Sequence, residues 1–164
     1  MTSPHTTRPG APTDRNSVSV ERLIPAPAAA IFDLLADPDG HVRIDGSGTV
    51  TAARSGGRRL GLGDAFGMSM KWGLPYSTRN VVVEYEENRR IAWQTLVRSP
   101  LDKLLTGRIW RYELTPVEGG TIVRETWDIS REAAPSRPFV RRLAGVTRQN
   151  MEGTLKRIEE LVSP

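Results

Sequence analysis

Few side chains in this 164-residue sequence have the type and spacing to do chemistry, and two of them are charges on otherwise apolar strand faces. Alternation from Thr121 to Ser130 puts Glu125 between Val123 and Trp127, and alternation from Tyr76 to Glu86 puts Arg79 with Val81, Val83 and Tyr85. If those neighbours face the interior, so do the two charges, and charges are rarely buried unless paired. A bulge in either strand would turn its charge outward; if the strands are regular, Glu125 must be paired, with Arg79 as the candidate partner, hydrated inside a cavity, or protonated. Asp37, His41 and Asp45 recur every four residues, a spacing that on one continuous helix would align two carboxylates and an imidazole as metal ligands or an acid–base set. Pro38 and Gly46 interrupt such a helix, so no metal is expected. Asp45 and His41 are left for the rim of a pocket or for surface and capping duties.

Other catalytic patterns fit poorly. Gly61, Gly63 and Gly67 imitate a dinucleotide fingerprint, but the last spacing is one residue too long and leads into a strand, where the motif requires a helix. Ser47 and Ser69 both lack the Gly-x-Ser-x-Gly elbow, and the histidines are His5 and His41 alone. The absence of cysteine excludes disulfides, a thiolate nucleophile and thiolate-held zinc or iron–sulfur sites. No cofactor is expected.

The elements that must carry these residues are legible from periodicity. Ser17–Leu23 alternates as a first strand, stopped by Pro25 and Pro27. Pro27 opens a short helix over 28–36, Asp37-Pro38 ends it, and a second helical stretch covers Asp39–Ile44. Six strands follow, over 49–54, 64–72, 76–86, 90–97, 108–116 and 121–130. Glu87-Asn88 and Gly119-Gly120 supply tight hairpin turns, so neighbours should pair antiparallel. Phe139, Leu143, Val146, Asn150, Met151, Thr154, Leu155, Ile158 and Leu161 fall on one stripe of a long C-terminal helix.

This order predicts an α+β fold in which a curved antiparallel sheet of about seven strands wraps the C-terminal helix. One helix covers so wide a sheet incompletely, and the space left is the expected pocket. Strand parity points Phe66, Met68, Met70 and Trp72 into it, with Trp93, then Trp110 and Tyr112, then Glu125 and Trp127; Met151 faces them from the helix. Asp45 is placed at the rim. So are Leu101, Leu104 and Leu105, in an insertion-like segment, Ser99–Thr106, that reads as a lid, a dimer contact or a longer hairpin. Residues 1–16 read as a disordered Pro-rich tail ahead of one domain over 17–162.

The residues VERLIPAPAAAIFDLLADPDGHVRIDGSGTV, GDAFGMSMKWGLPYSTRNVVVEYEENRRIAWQ and RYELTPVEGGTIVRETWD resemble the START-like superfamily (SRPBCC), in its polyketide cyclase/dehydrase and lipid-transport branch. The likeness covers about residues 17 to 162. It implies the helix-grip fold and a cavity for a lipid, a polyketide or another ring compound. Relatives that catalyse use different groups, so no catalytic residue is carried over.

Two functions follow as expectations. The first is binding or carriage of a small hydrophobic or amphipathic ligand. The second is a cyclase or dehydratase that holds its substrate in the same cavity, with Glu125, Arg79 or Asp45 positioning and protonating a carbonyl. The formal charge of +4 combines 23 basic with 19 acidic residues, which points away from a nucleic-acid partner. A basic surface-binding protein would need Arg137, Arg141, Arg142 and Arg148 to form one patch. The absence of an apolar run of about 18 residues predicts no stable membrane insertion, and the lack of a secretory pattern at the start predicts a cytoplasmic protein. Oligomeric state is not legible.

Overall fold

The computed structural model describes residues 14–53, 57–97 and 107–164. Leu101, Leu104 and Leu105, the remainder of the Ser99–Thr106 segment, nearly all of the expected tail and the side chain of Trp72 lie outside what is described. The chain forms β1 (Ser17–Ile24), α1 (Ala28–Leu35), α2 (Pro38–Ile44), β2 (Val50–Ala53), β3 (Ala65–Trp72), β4 (Leu74–Glu86), β5 (Arg90–Val97), β6 (Ile109–Val117), β7 (Gly120–Asp128), α3 (Arg137–Arg141) and α4 (Ala144–Val162). The seven strands make one antiparallel sheet in the order β1-β7-β6-β5-β4-β3-β2. Strands β2 to β7 are therefore sequential hairpins, and β1 closes the far edge by pairing with β7.

Local chemistry explains the joints. Asn88 takes a φ of 61° in the β4–β5 turn, a left-handed conformation that asparagine tolerates. Gly120 in the β6–β7 turn has a φ of 152°, and a Cβ there would sit 2.1 Å from the Ile24 carbonyl oxygen, so the turn can close on β1 only with glycine. Asp37 caps α2, its side chain accepting from the Asp39 amide, and Pro38 occupies the first turn.

The core lies between the concave sheet and the helices, with Ile31, Phe32 and Leu35 of α1 and Met151, Leu155 and Ile158 of α4 buried against it. Arg22 of β1 is ion-paired with Glu159 of α4. The expected C-terminal stripe is corrected in part. The chain turns at Arg142–Leu143, which splits α3 from α4, and the inward positions are Val140, Thr147, Met151, Thr154, Leu155 and Ile158. Phe139, Val146 and Leu161 are exposed: Phe139 precedes that turn, Val146 lies off the Thr147–Met151–Thr154–Leu155–Ile158 face of α4, and Leu161 stands in its last turn.

Candidate functional site

Register converts the sheet into cross-strand rows on its inner face. One row runs Val82, Trp93, Trp110, Trp127, Val18 across β4, β5, β6, β7 and β1. The next runs Ile91, Tyr112, Glu125, Val20. Three tryptophans on successive strands thus meet side by side, with Trp110 and Trp127 centroids 6.5 Å apart, while Trp93 stacks on Tyr112 at 5.5 Å.

Glu125 is buried, 2 % exposed, and its partner is Tyr112, whose hydroxyl donates to Oε1 at 2.7 Å. Its Oε2 is enclosed without a hydrogen-bond partner among the described residues. Burial pushes the carboxyl up to about 8; the Tyr112 hydrogen bond pulls the other way and the nearby Asp45 carboxylate adds to the rise. Glu125 is accordingly a mostly neutral acid near pH 7. Burial and the same carboxyl raise Tyr112 well above its ordinary value, so its proton stays in place.

His41 of α2 lies over this face, stacked on Trp93 at 4.6 Å and edge-on to Phe66 at 5.0 Å. Its Nε2 donates to the Leu35 carbonyl at 2.7 Å, which fixes the tautomer. Burial lowers its pKa to about 4, with the Leu35 bond only partly opposing. The unfolded chain takes up a proton near 6.5 and the folded chain does not, so stability from this group is present above 6.5 and lost as pH falls toward 4. His41→Gln, whose amide can still donate to Leu35, is expected to flatten the fall in melting temperature between those values. A slope unchanged from the parent would show that His41 does not set it.

Beyond the tryptophan row the inner face becomes less filled and more polar. Thr78, Asn80 and Thr95 are buried together, Thr95 donating to Asn80 at 2.8 Å and Asn80 to Thr78 at 3.4 Å. Met70, Val97 and Trp110 stay half-buried on the same face. Arg108 pairs with Thr95 through the Thr95 amide and shares the parity of Trp110. It is ion-paired at 3.1 Å with the fully buried side chain of Glu132. Tyr76 feels the charges of both Arg108 and Asp45, so all three converge at this end of the grip. The Asp45 carboxylate is held by the Ser47 amide and hydroxyl and by the Val50 amide at 2.6–2.9 Å. Gly46 beside it abuts α4, its amide donating to Thr154 at 3.0 Å.

Sequence reasoning placed Phe66, Met68, Met70, Trp93, Trp110, Tyr112, Glu125 and Trp127 on the face they occupy, with Met151 opposite. Arg79 is a correction. A register shift between Val82 and Glu84 inverts the alternation, so Thr78, Asn80 and Val82 point in, Tyr85 meets Phe32 beyond the bulge, and Arg79 is exposed on the convex side. Arg79 cannot be the counter-charge of Glu125. Asp37, His41 and Asp45 do not form a cluster: Asp37 caps α2, His41 is inside, and Asp45 ends the helix. Among the described residues no three His, Asp or Glu side chains gather to hold a metal. Arg108 is a site residue absent from the sequence reading; it stands just before β6, two residues ahead of Trp110, and its parity with Trp110 is the signal for it.

Two depressions are bounded by described residues. One of about 180 Å³ lies between β1, β7 and the α3–α4 segment, over Val18, Trp127, Ile129, Arg141 and Ala144. The other, about 390 Å³, crosses β3 and β4 by Met70 and Tyr76. Neither is lined by Glu125.

A seven-stranded antiparallel sheet curled around a C-terminal helix, with two short helices after the first strand, defines a helix-grip protein. The chain belongs to the family described as polyketide cyclase/dehydrase and lipid transport, which matches residues 15–163. An uncharacterised protein of Mycobacterium tuberculosis, Rv0088, is 37% identical over 116 residues, 70% of this chain and 47% of that protein. The chain spans about half the length of the curated relatives it matches. Among solved structures, protein CV1439 from Chromobacterium violaceum superposes with a TM-score of 0.70 at 15% identity, covering 91% of this chain and 98% of that one. The di-domain ARO/CYC StfQ from the steffimycin biosynthetic pathway superposes with a TM-score of 0.68 at 17% identity, covering 90% of this chain and 51% of that one. At such identities these likenesses speak for the fold.

Proposed function

We propose that the protein binds a small hydrophobic or amphipathic molecule at the open end of the grip, between the inner face of β3–β6 and α4. One observation carries this reading. Met70, Val97 and Trp110 are left half-buried on a face whose other side chains are packed, beside the Thr78–Asn80–Thr95 row and Arg108. An apolar body against the first group gains on the order of 25 cal/mol per Å² withdrawn from water, and the polar row and Arg108 orient its heteroatoms. Asp45 and Tyr76 stand at the rim of this site, with Leu101, Leu104 and Leu105 proposed to complete it. Family membership supports a ligand of lipid, polyketide or ring-compound type.

Native mass spectrometry of gently purified protein is expected to reveal a bound organic molecule. Trp110→Ala is expected to weaken its retention roughly tenfold or more, from the loss of an aromatic platform, with the fold intact. Retention unchanged in Trp110→Ala would overturn the placement, and failure of the parent to bind any apolar molecule from a panel of fatty acids and polycyclic aromatics would overturn the function.

A second reading, a cyclase or dehydratase, is favoured by Glu125. A neutral carboxyl with one unpartnered oxygen, buried beside Tyr112, is suited to give its proton to a carbonyl oxygen while an enol carbon of the same substrate attacks the carbonyl carbon, the enol O–H proton returning to the carboxylate and leaving a β-hydroxy ketone. Loss of the resulting hydroxyl as water would complete the dehydration. Substrate must first reach an oxygen that is now enclosed, which ranks this reading behind binding. Incubation with a poly-β-ketone thioester and mass analysis tests it: a product lighter by one water, absent with Glu125→Gln, supports catalysis, and unaltered substrate refutes it.

A further inference from the structure

The net charge of the protein is concentrated in one place. Between Ala133 and Met151 the chain has four arginines, Arg137, Arg141, Arg142 and Arg148, and no carboxylate, while the rest of the chain carries basic and acidic residues in equal number. The formal excess of +4 therefore resides in α3 and the first turns of α4. Arg137 is half-buried, donating to the Ser130 and Glu132 carbonyls; Arg141, Arg142 and Arg148 are exposed, Arg141 donating through one Nη to Asn16 Oδ1 and Arg148 through one Nη to the Ser19 carbonyl.

The same segment leaves apolar side chains in solvent. Phe139 and Val146 are each 52% exposed, and Pro138 and Gly145 are exposed with them. Val140 and Thr147, one position further along, face the core. Exposed aromatic and aliphatic groups among arginines are a poor fit to bulk water and a good fit to a surface with anionic groups outside and hydrocarbon beneath. The surrounding charges do not cancel the patch: Asp14 and Arg15 border it and offset each other, Glu132 is buried against Arg108, and Glu152 stands a turn beyond Arg148. The depression over Trp127 and Ile129 is lined by Arg141 and Ala144, so this surface adjoins it.

We infer that α3 and the first two turns of α4 form a docking face for an anionic lipid bilayer, with Arg141, Arg142 and Arg148 on the head groups and Phe139 and Val146 at the acyl boundary. The contact is peripheral: no helix among the described residues is long and apolar enough to cross a membrane. It stands independently of the ligand reading, since a protein with an empty grip would dock as well.

Co-sedimentation with vesicles tests it on the full chain. Vesicles of phosphatidylcholine with a third of phosphatidylglycerol are expected to bind the protein, phosphatidylcholine alone is not, and binding should weaken steeply with salt. R141Q/R142Q should lower the partition coefficient roughly 30-fold, at about 5-fold per arginine, and Phe139→Ser roughly tenfold. Both variants change exposed side chains and should melt close to the parent, and because they alter different residues, misfolding of one leaves the other as the test. Equal binding to both vesicle types, or unaltered binding by both variants, overturns the proposal. So does failure to bind either vesicle combined with arginine-dependent retention of a DNA duplex, which would assign the patch to nucleic acid.

Discussion

Glu125→Gln is expected to raise the melting temperature at pH 8 and to leave it nearly unchanged at pH 4.5. In the unfolded chain this carboxyl ionises near 4.5, and in the folded chain it keeps its proton to about 8. Between those values unfolding releases a proton, so the stability it contributes is complete below 4.5 and is lost as pH rises toward 8. The amide of glutamine matches the shape of the protonated acid and can still accept from Tyr112, yet it never ionises. The variant should therefore exceed the parent by on the order of 3 kcal/mol at pH 8, roughly 6 to 12 °C in a domain of this size. Thermal melts across that range decide it. A difference independent of pH would mean that Glu125 ionises in the folded protein as it does in the unfolded one, and a loss of stability at pH 8 would mean that an unrecognised cation pairs with it. The sequence had offered Arg79 for that pairing, which would have given the opposite sign.

The second large effect is a contrast between two glycines that touch. A Cβ on Gly46 would lie 2.3 Å from the Asn150 carbonyl oxygen and 2.4 Å from the Thr154 amide nitrogen, both backbone atoms of α4. Neither can yield without moving the helix, so Gly46→Ala is expected to cost roughly 3 kcal/mol or more and to displace Asp45 from its three hydrogen bonds. Gly153 faces Gly46 from within α4, but its Cβ would meet the Gly46 Cα at 3.4 Å, an ordinary contact. Gly153→Ala removes a flexible residue from a helix interior and should stabilise by about 0.5 to 1 kcal/mol. Denaturant melts of both variants check the pair, and equal effects of one sign would show that this approach is not as tight as described.

Periodicity and turn chemistry exposed nearly all the architecture, because alternation of Val, Trp and Tyr with polar residues at the fixed step of a strand leaves little freedom in register once the Gly119-Gly120 turn is placed. The inward row of Trp93, Trp110 and Trp127 was legible for that reason. Arg79 was not, since a single extra residue at Val83 reverses every face upstream of it and has no glycine or proline to announce it. The break between α3 and α4 was hidden likewise: Arg142 and Leu143 are ordinary helix formers, and Val140 before the break and Thr147 after it are both buried by tertiary packing that no local pattern encodes. His41 was noticed for its spacing to two aspartates, whereas its neighbours are Trp93, Phe66 and the Leu35 carbonyl, contacts between distant segments that no local pattern encodes. Polar partners inside a site, such as the Asn80 and Thr95 pair, look in sequence like any half-exposed strand positions.

The pairing of β1 with β7 also bears on synthesis. Ser17 lies opposite Asp128 and Ile24 opposite Thr121, so every ladder partner of the first strand is translated roughly a hundred residues after it. At about 5–20 residues per second, β1 waits on the order of 5–20 s outside or within the ribosomal tunnel with its Val18, Val20 and Ile24 unpaired. Strands β2 to β7 can pair in the order they emerge, each with its neighbour in sequence, whereas β1 must be recaptured across the whole sheet at the end. Strand β1 is thus made before every other strand of this sheet and buried after them, and until β7 arrives its apolar side chains are a natural substrate for a chaperone that holds short apolar segments.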